Sequence, residues 1–183
     1  MIEKIVDIDF AILDWIREYL TCGFLDWFMP KITLLGNGGI FFIILCIIFV
    51  FFKRTRKLGL MMAAGLILCL ITCNLILKPL VARERPFYIN ESVLPLLIKT
   101  PGEFSFPSGH TIVSFTSAFI AINHDKRLGA GLLVLAVIIA FSRLYLYVHY
   151  PTDILASVIL AALIALVVVK GADFIEGKKT RRA

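Results

Sequence analysis

Lys78, Arg85, Arg143, His110, His149, Asp153 and the turn Pro107-Ser108-Gly109-His110 are polar features that a plain membrane anchor would not need. Three of them are cations, and two of those are planar guanidinium forks that match phosphate oxygens in a bidentate way. A Ser108-Gly109-His110 turn at the start of an apolar run would present backbone N–H groups and the positive end of a helix dipole. The combination reads as an anion site. Two histidines can divide nucleophilic and acid–base work near neutral pH. Asp153 lies four residues after His149, across Tyr150-Pro151, and can orient an imidazole there and favour its charged form. No carboxylate cluster is available for a divalent ion, so the cations must stabilise a phosphoryl charge themselves; no metal and no cofactor are expected.

Singly, each residue has a plainer reading. Lys78 can snorkel to the headgroups, Arg85 can be a loop residue, and Pro107-Ser108-Gly109 can be a helix start. Arg143 resists this, because a charge inside an apolar run is costly and calls for a partner or a function.

The elements that must position these residues follow from hydropathy. Hydrophobic types make up 60% of the 183 residues and charged types 17%, against roughly 45–50% and about 25% in soluble domains. A chain this small could not hide that much apolar surface from water, so the expected fold class is all-α, a polytopic transmembrane helical bundle in a single domain. A crossing needs about 20 apolar residues. Residues 32–52, 58–77, 108–123, 128–148 and 154–169 read as five spans. Residues 22–35 carry Asp26, Pro30 and Lys31 and read as a sixth crossing or a second interfacial helix.

At the start, Ile5, Ile8, Ile12, Leu13 and Ile16 recur at helical spacing between charges, an amphipathic helix for the interface. Residues 1–31 are therefore expected to be interfacial, 32–170 the bundle and 171–183 a basic tail. No cleaved leader is expected, since a basic n-region and cleavage site are missing. Cys22, Cys46, Cys69 and Cys73 show no metal or disulfide spacing and read as small hydrophobes.

Lys53, Arg54, Arg56 and Lys57, then Lys126 and Arg127, then Lys170, Lys178, Lys179, Arg181 and Arg182 fall on one side of the five spans. The positive-inside rule makes that side cytoplasmic and puts the anion site on the extracytoplasmic face of a multi-pass protein of the cell membrane. The net charge of +6 is thus a topology signal, and no nucleic acid is expected as partner. No obligatory protein partner is evident.

The order Lys78-x6-Arg85-Pro86, Pro107-Ser108-Gly109-His110 and Ser142-Arg143-x5-His149-x3-Asp153 resembles the three-part signature of the type 2 phosphatidic acid phosphatases. That family includes membrane lipid phosphatases, undecaprenyl-diphosphatases, soluble acid phosphatases and vanadium haloperoxidases. The resemblance covers residues 78–153 with no departure at a signature position; the first 75 residues match in general character alone. It implies His149 as nucleophile through a phosphohistidine, Asp153 holding its ring, and His110 as acid and then base. Lys78, Arg85, Ser108, Gly109 and Arg143 would bind the phosphoryl oxygens. The implied substrate is a membrane lipid phosphate or diphosphate. Small size and an outward site resemble undecaprenyl-diphosphatases, with phosphatidylglycerophosphate or phosphatidic acid as alternatives. A transporter is the alternative of another class, disfavoured because the charges sit at helix ends and no internal repeat is visible.

Phe87, Tyr88, Phe104 and Phe106 read as interfacial aromatics. One geometric condition stands out. On an unbroken helix Arg143 and His149 would point about 120° apart, so they converge only where the helix ends or loosens near Val148. Pro151 favours such an end, because Tyr150 before it is biased away from helical geometry.

Overall fold

The computed structural model describes residues 2–180, which are helices and connecting loops with no strand among the described residues. α1 (Ile2–Leu20) has three faces. Asp9, Leu13 and Ile16 are buried against the bundle, Ile5, Ile8, Ile12, Trp15 and Tyr19 form an exposed apolar strip, and most of the charges lie on the remaining arc. That is the pattern of a helix seated between protein, lipid and water.

α2 (Gly23–Thr33) runs through a tight 3₁₀ elbow (Leu34–Gly39) into α3 (Ile40–Phe51). The elbow bends because Asn37 leaves helical geometry (ψ 120°) and Gly38 and Gly39 take φ of +58° and +67°, values glycine adopts without a Cβ clash. α4 (Arg56–Cys69) loosens into a π-helical turn (Leu70–Leu77) and ends in α5 (Lys78–Val81). A short α6 (Pro86–Ile89) and a long loop lead to α7 (Gly109–His124), α8 (Lys126–Tyr145) and α9 (Pro151–Thr180).

Four stretches are long and apolar enough to cross a membrane: Gly23–Phe51, Arg56–Ile89, Lys126–Tyr145 and Pro151–Lys178. The expected count of five or six spans is not confirmed, and two places account for the difference. Residues 22–35 do not form a crossing of their own, because α2 and α3 make one bent stretch. The expected third span is α7, which has 16 residues. At 1.5 Å per residue it is about 24 Å long, short of the roughly 30 Å hydrocarbon core. It sits at the centre, packed on α4, α8 and α9, and nine of its residues are buried. α9 continues as helix through the first part of the expected basic tail, to Thr180; Arg181 and Arg182 lie outside the described residues.

Two apolar clusters hold the bundle. The larger joins α3, α4, α7, α8 and α9 through residues such as Met62, Ile112, Ile120, Ala136 and Ala161. Small residues let backbones approach: a Cβ on Gly59 would press on the α3 backbone at Cys46 and Val50, and one on Gly129 would overlap Ile122 of α7. The smaller cluster gathers Leu13, Met29, Phe87, Val93, Leu146, Tyr147, Val148 and Tyr150. Phe87 is therefore a core residue, whereas Tyr88 and Phe104 are exposed as interfacial aromatics would be. Outward, α3 shows Ile40, Ile43, Ile44, Ile47 and Ile48, and α9 shows Leu155, Ile159, Leu163 and Leu166. An apolar exterior of this extent suits lipid as the surrounding medium.

The basic segments collect at one end. Lys57, at the start of α4, pairs with Glu176 (2.8 Å) and Asp173 (3.9 Å) near the end of α9.

Candidate active site

The site lies at the other end of the bundle, where helices start or stop for identifiable reasons. Ser108 caps α7, its side chain accepting from Thr111 N at 3.4 Å. α8 stops because Tyr147 takes a left-handed φ of +58°, with Val148 N closing on Arg143 O at 3.1 Å. A non-glycine residue there is strained, and its hydroxyl is held from both sides: it donates to Asp14 (2.6 Å) and accepts from Asn90 (3.2 Å). This break meets the condition set by the 120° separation, and Arg143 and His149 line the same cavity. α9 then opens with Pro151, whose missing N–H costs nothing in a first turn. Asp153 in that turn reaches back to accept from Tyr150 N at 3.0 Å, the reciprocal half of a capping box.

The cavity measures about 1080 Å³. Its polar end is lined by Lys78, Arg85, Gly109, His110, Arg143 and His149. From there it continues along an apolar groove between α3 and α4 that includes Ile43, Ile47, Ala63, Leu66, Ile67 and Leu70. Six of the eight residues singled out from the sequence thus face one space. Asp153 stands behind His149, fully buried. Ser108 departs from expectation. Its hydroxyl is taken up by Thr111, its own N–H donates to Ser157 Oγ at 2.8 Å, and it does not line the cavity. Of the turn, Gly109 and His110 are left to meet a ligand.

His149 is 1% exposed. Arg85 Nη1 lies 3.2 Å from its Nε2, and arginine has donors but no acceptor. Nε2 must therefore offer a lone pair, which puts the ring proton on Nδ1, facing Asp153 Oδ2 at 3.5 Å and Ser105 Oγ at 3.4 Å. Burial pushes the imidazole down to about 3; its bond to Asp153 opposes this, while Arg85 and Arg143 add to it. The ring is consequently neutral and nucleophilic at Nε2 near pH 7.

Arg85 is fixed by Val148 O (2.8 Å), Glu103 O (2.6 Å) and Phe104 O (3.4 Å). Arg143 donates from Nη1 to Thr33 Oγ1 at 2.7 Å. Its Nε is the buried side-chain polar atom without a partner among the described residues, as suits a donor meant for a ligand. Lys78 pairs with Glu103, whose carboxyl is held below its usual range by that hydrogen bond and charge. His110 Nε2 sits 2.8 Å from Asn37 Oδ1.

Three sets of residues that hydropathy and motif spacing do not single out complete the surroundings of the site. Arg83 bridges Asp153 Oδ1 (2.7 Å), Thr152 Oγ1 (2.8 Å) and Asp9 Oδ2 (2.8 Å), with its guanidinium over the Tyr150 ring. Asp9 also accepts from Thr152 N at 2.9 Å, so α1 reaches the carboxylate behind His149. Ser105, fully buried, donates to Asp153 Oδ2. Thr33, Gly36 and Asn37 of the α2–α3 bend touch Arg143 and His110. Asp9, an acid at helical spacing with Ile5, Ile12, Leu13 and Ile16, is the one local signal; the others depend on distant contacts.

Among the described residues no group of three His, Cys, Asp or Glu gathers in metal-binding proximity. What the site offers is a neutral imidazole facing fixed cations, a second imidazole across the same cavity, and an adjoining apolar groove.

Fold and site together define a transmembrane helical protein with a cation-lined, two-histidine cavity at one end of its bundle. The profile of the PAP2 superfamily matches residues 54–175, and the chain belongs to that family. The chain is 31% identical to the undecaprenyl-diphosphatase of Sulfolobus acidocaldarius, over 65% of this chain and 57% of that protein. It therefore spans a little over half the length of that relative. Phosphatidylglycerophosphatase B of Bacillus subtilis is 31% identical, with 87% and 76% covered. The crystal structure of the transmembrane PAP2-type phosphatidylglycerolphosphate phosphatase from Bacillus subtilis superposes with a TM-score of 0.74 at 27% identity, covering 93% of this chain and 86% of that one.

Proposed function

We propose that the chain is a metal-independent membrane lipid phosphatase whose substrate is undecaprenyl diphosphate, cleaved to undecaprenyl phosphate and phosphate. The observation that carries this reading is the continuity of the cavity. Its cationic end fits a phosphoryl group, and its apolar groove fits the first part of a lipid tail.

In this reading His149 Nε2 attacks phosphorus, the bond to the leaving oxygen breaks, and His110 gives that oxygen a proton. A phosphohistidine remains. Water then attacks phosphorus as His110 takes its proton, the N–P bond breaks and phosphate leaves. Arg85, Arg143, Lys78 and the Gly109 N–H hold the three non-bridging oxygens, and their fixed charge stabilises the transition state. Asp153 keeps the His149 proton on Nδ1. Lys78 must exchange Glu103 for the substrate, since Glu103 occupies it here. The site opens on the extracytoplasmic face, opposite the Lys53–Lys57 loop, with α7 carrying the chain back between the two ends inside the bundle, enclosed by α4, α8 and α9.

A second reading, phosphatidylglycerophosphate as substrate, is favoured by the longer match to the Bacillus subtilis enzyme. Phosphate release by detergent-purified protein from undecaprenyl diphosphate, phosphatidylglycerophosphate and phosphatidic acid, in EDTA, separates them. Undecaprenyl diphosphate is expected to give the highest kcat/KM. Preference for phosphatidylglycerophosphate supports the second reading, and activity that EDTA abolishes and one added metal restores refutes the metal-independent mechanism.

A further inference from the structure

The bend between α2 and α3 lies outside the segment that carries the family match, yet it closes one wall of the cavity. Thr33, Gly36 and Asn37 all turn toward the site. Thr33 accepts from Arg143, a Cβ on Gly36 would overlap the His110 ring, and Asn37 Oδ1 lies 2.8 Å from His110 Nε2. Asn37 is an exposed residue on the wall of that cavity. Here it is brought to the cavity by the local loss of helix at Asn37, Gly38 and Gly39.

The geometry points to Asn37 as a positioning residue for His110, an amide acceptor that holds the Nε2–H and confines proton transfer to Nδ1. This rests on the phosphatase reading above. The amide oxygen can only accept, so the proton between the two residues belongs to Nε2. In the first half of the reaction the imidazolium, favoured once the phosphoryl anion offsets the surrounding cations, keeps Nε2–H on Asn37 and loses its Nδ1 proton to the leaving oxygen. The ring is then neutral, with Nε2–H still bound and Nδ1 bare. In the second half Nδ1 takes the proton that the attacking water releases, which restores the imidazolium. One fixed acceptor thus serves both steps without reorienting, as outer partners of catalytic and metal-bound imidazoles do. Lys78, Arg85, Arg143 and His149 act on His110 from α5, the α6 loop, α8 and the α8–α9 connection, and Lys31, Lys99 and Glu103 line the same cavity. Asn37 answers them from the remaining side with a neutral oxygen.

The test uses the purified full chain with two substrates that differ in leaving group, undecaprenyl diphosphate and p-nitrophenyl phosphate, and three variants. Asn37→Leu should lower kcat on the lipid by about 10–100-fold, the usual cost of losing an outer partner, with KM changed less than about twofold. Its phosphoenzyme formation from nitrophenyl phosphate should change less than about threefold, because that leaving group needs little acid help. Gly36→Ala, which pushes on the ring, should give the same split. Asn37→Asp, nearly isosteric, puts a negative charge beside Nε2 and should move the alkaline limb of the kcat profile to higher pH, since the imidazolium is the form it stabilises. Equal losses on both substrates, no loss on either, or an unmoved alkaline limb in Asn37→Asp would each overturn the assignment. A wild-type chain that releases phosphate from no lipid phosphate would instead overturn the phosphatase reading.

Discussion

His149 and His110 share a cavity but sit in different surroundings, which suit the different tasks proposed for them. His149 is enclosed, flanked by Arg85 at Nε2 and by Asp153 and Ser105 at Nδ1. His110 is half-buried beside an amide. His149→Ala should abolish turnover of every substrate, because no covalent intermediate can form. His110→Ala should lose about 10²–10⁴-fold on lipid substrates, yet still form phosphoenzyme from an aryl phosphate and accumulate it, since water activation is also lost. Rapid-quench trapping of acid-labile, base-stable label reads this; label trapped in the His149 variant but not in the His110 variant would reverse the roles. A second expectation follows from the burial that holds His149 down to about 3. Because the folded value lies below the unfolded value near 6.5, the unfolded chain takes up a proton that the folded site refuses. His149 then lowers stability as pH falls from about 6.5 towards 3, and contributes no such loss above that window. Ring ¹⁵N shifts of His149 should remain those of a neutral Nδ1–H imidazole at pH 5, and imidazolium shifts at that pH would contradict the environment described.

At the scale of elements, three helix ends and one bend build the site. The α8 end is imposed by Tyr147 in left-handed geometry, the α9 start by Pro151 and Asp153, and the α7 start by Ser108. α1 then braces the α8–α9 connection from outside. Its Leu13 is fully buried in the cluster that contains Tyr147, Val148 and Tyr150, while Ile8 on the next face is 59% exposed. Leu13→Ala should destabilise the protein by about 2–5 kcal/mol, the range for a buried leucine that leaves a cavity. Ile8→Ala should stay within about 0.5 kcal/mol. Thermal or denaturant unfolding in one detergent compares them; equal effects would mean that α1 does not dock as described.

At the scale of the molecule, the basic segments and the site occupy opposite ends of the bundle. That polarity makes the proposed orientation testable in intact cells. In a background without the native cysteines, Glu91→Cys, exposed in the loop that follows α6, should react with a membrane-impermeant thiol reagent added from outside, and Arg54→Cys should not. The opposite pattern would turn the protein over and put the cavity on the cytoplasmic face. α7 needs company at this scale too, because a 16-residue helix carrying buried Ser114, Thr116 and Ser117 is suited to a protein-lined centre rather than to lipid.

Composition and residue order were enough to determine the helical membrane class and to single out six residues that line one cavity, because both depend on local quantities. Apolar run length sets which segments avoid water, and the spacing Lys78-x6-Arg85, Ser108-Gly109-His110 and Arg143-x5-His149-x3-Asp153 stands in the chain itself. The Pro151 signal for a helix break was local as well, and the α8 end bears it out. Tertiary structure decided what depends on distant partners. Ser108 was withdrawn from the cavity by Thr111 and by Ser157, 49 residues away. Phe87 became core within the cluster that also holds Leu13 of α1 and Met29 of α2. Arg83, Asp9, Thr33 and Asn37 joined the site through contacts across 70 to 143 positions of sequence, as with Arg83 to Asp153 and Asp9 to Thr152. Hydropathy and spacing carry no term for such pairs, since a hydrogen bond between separated residues exists only once packing has closed the chain between them.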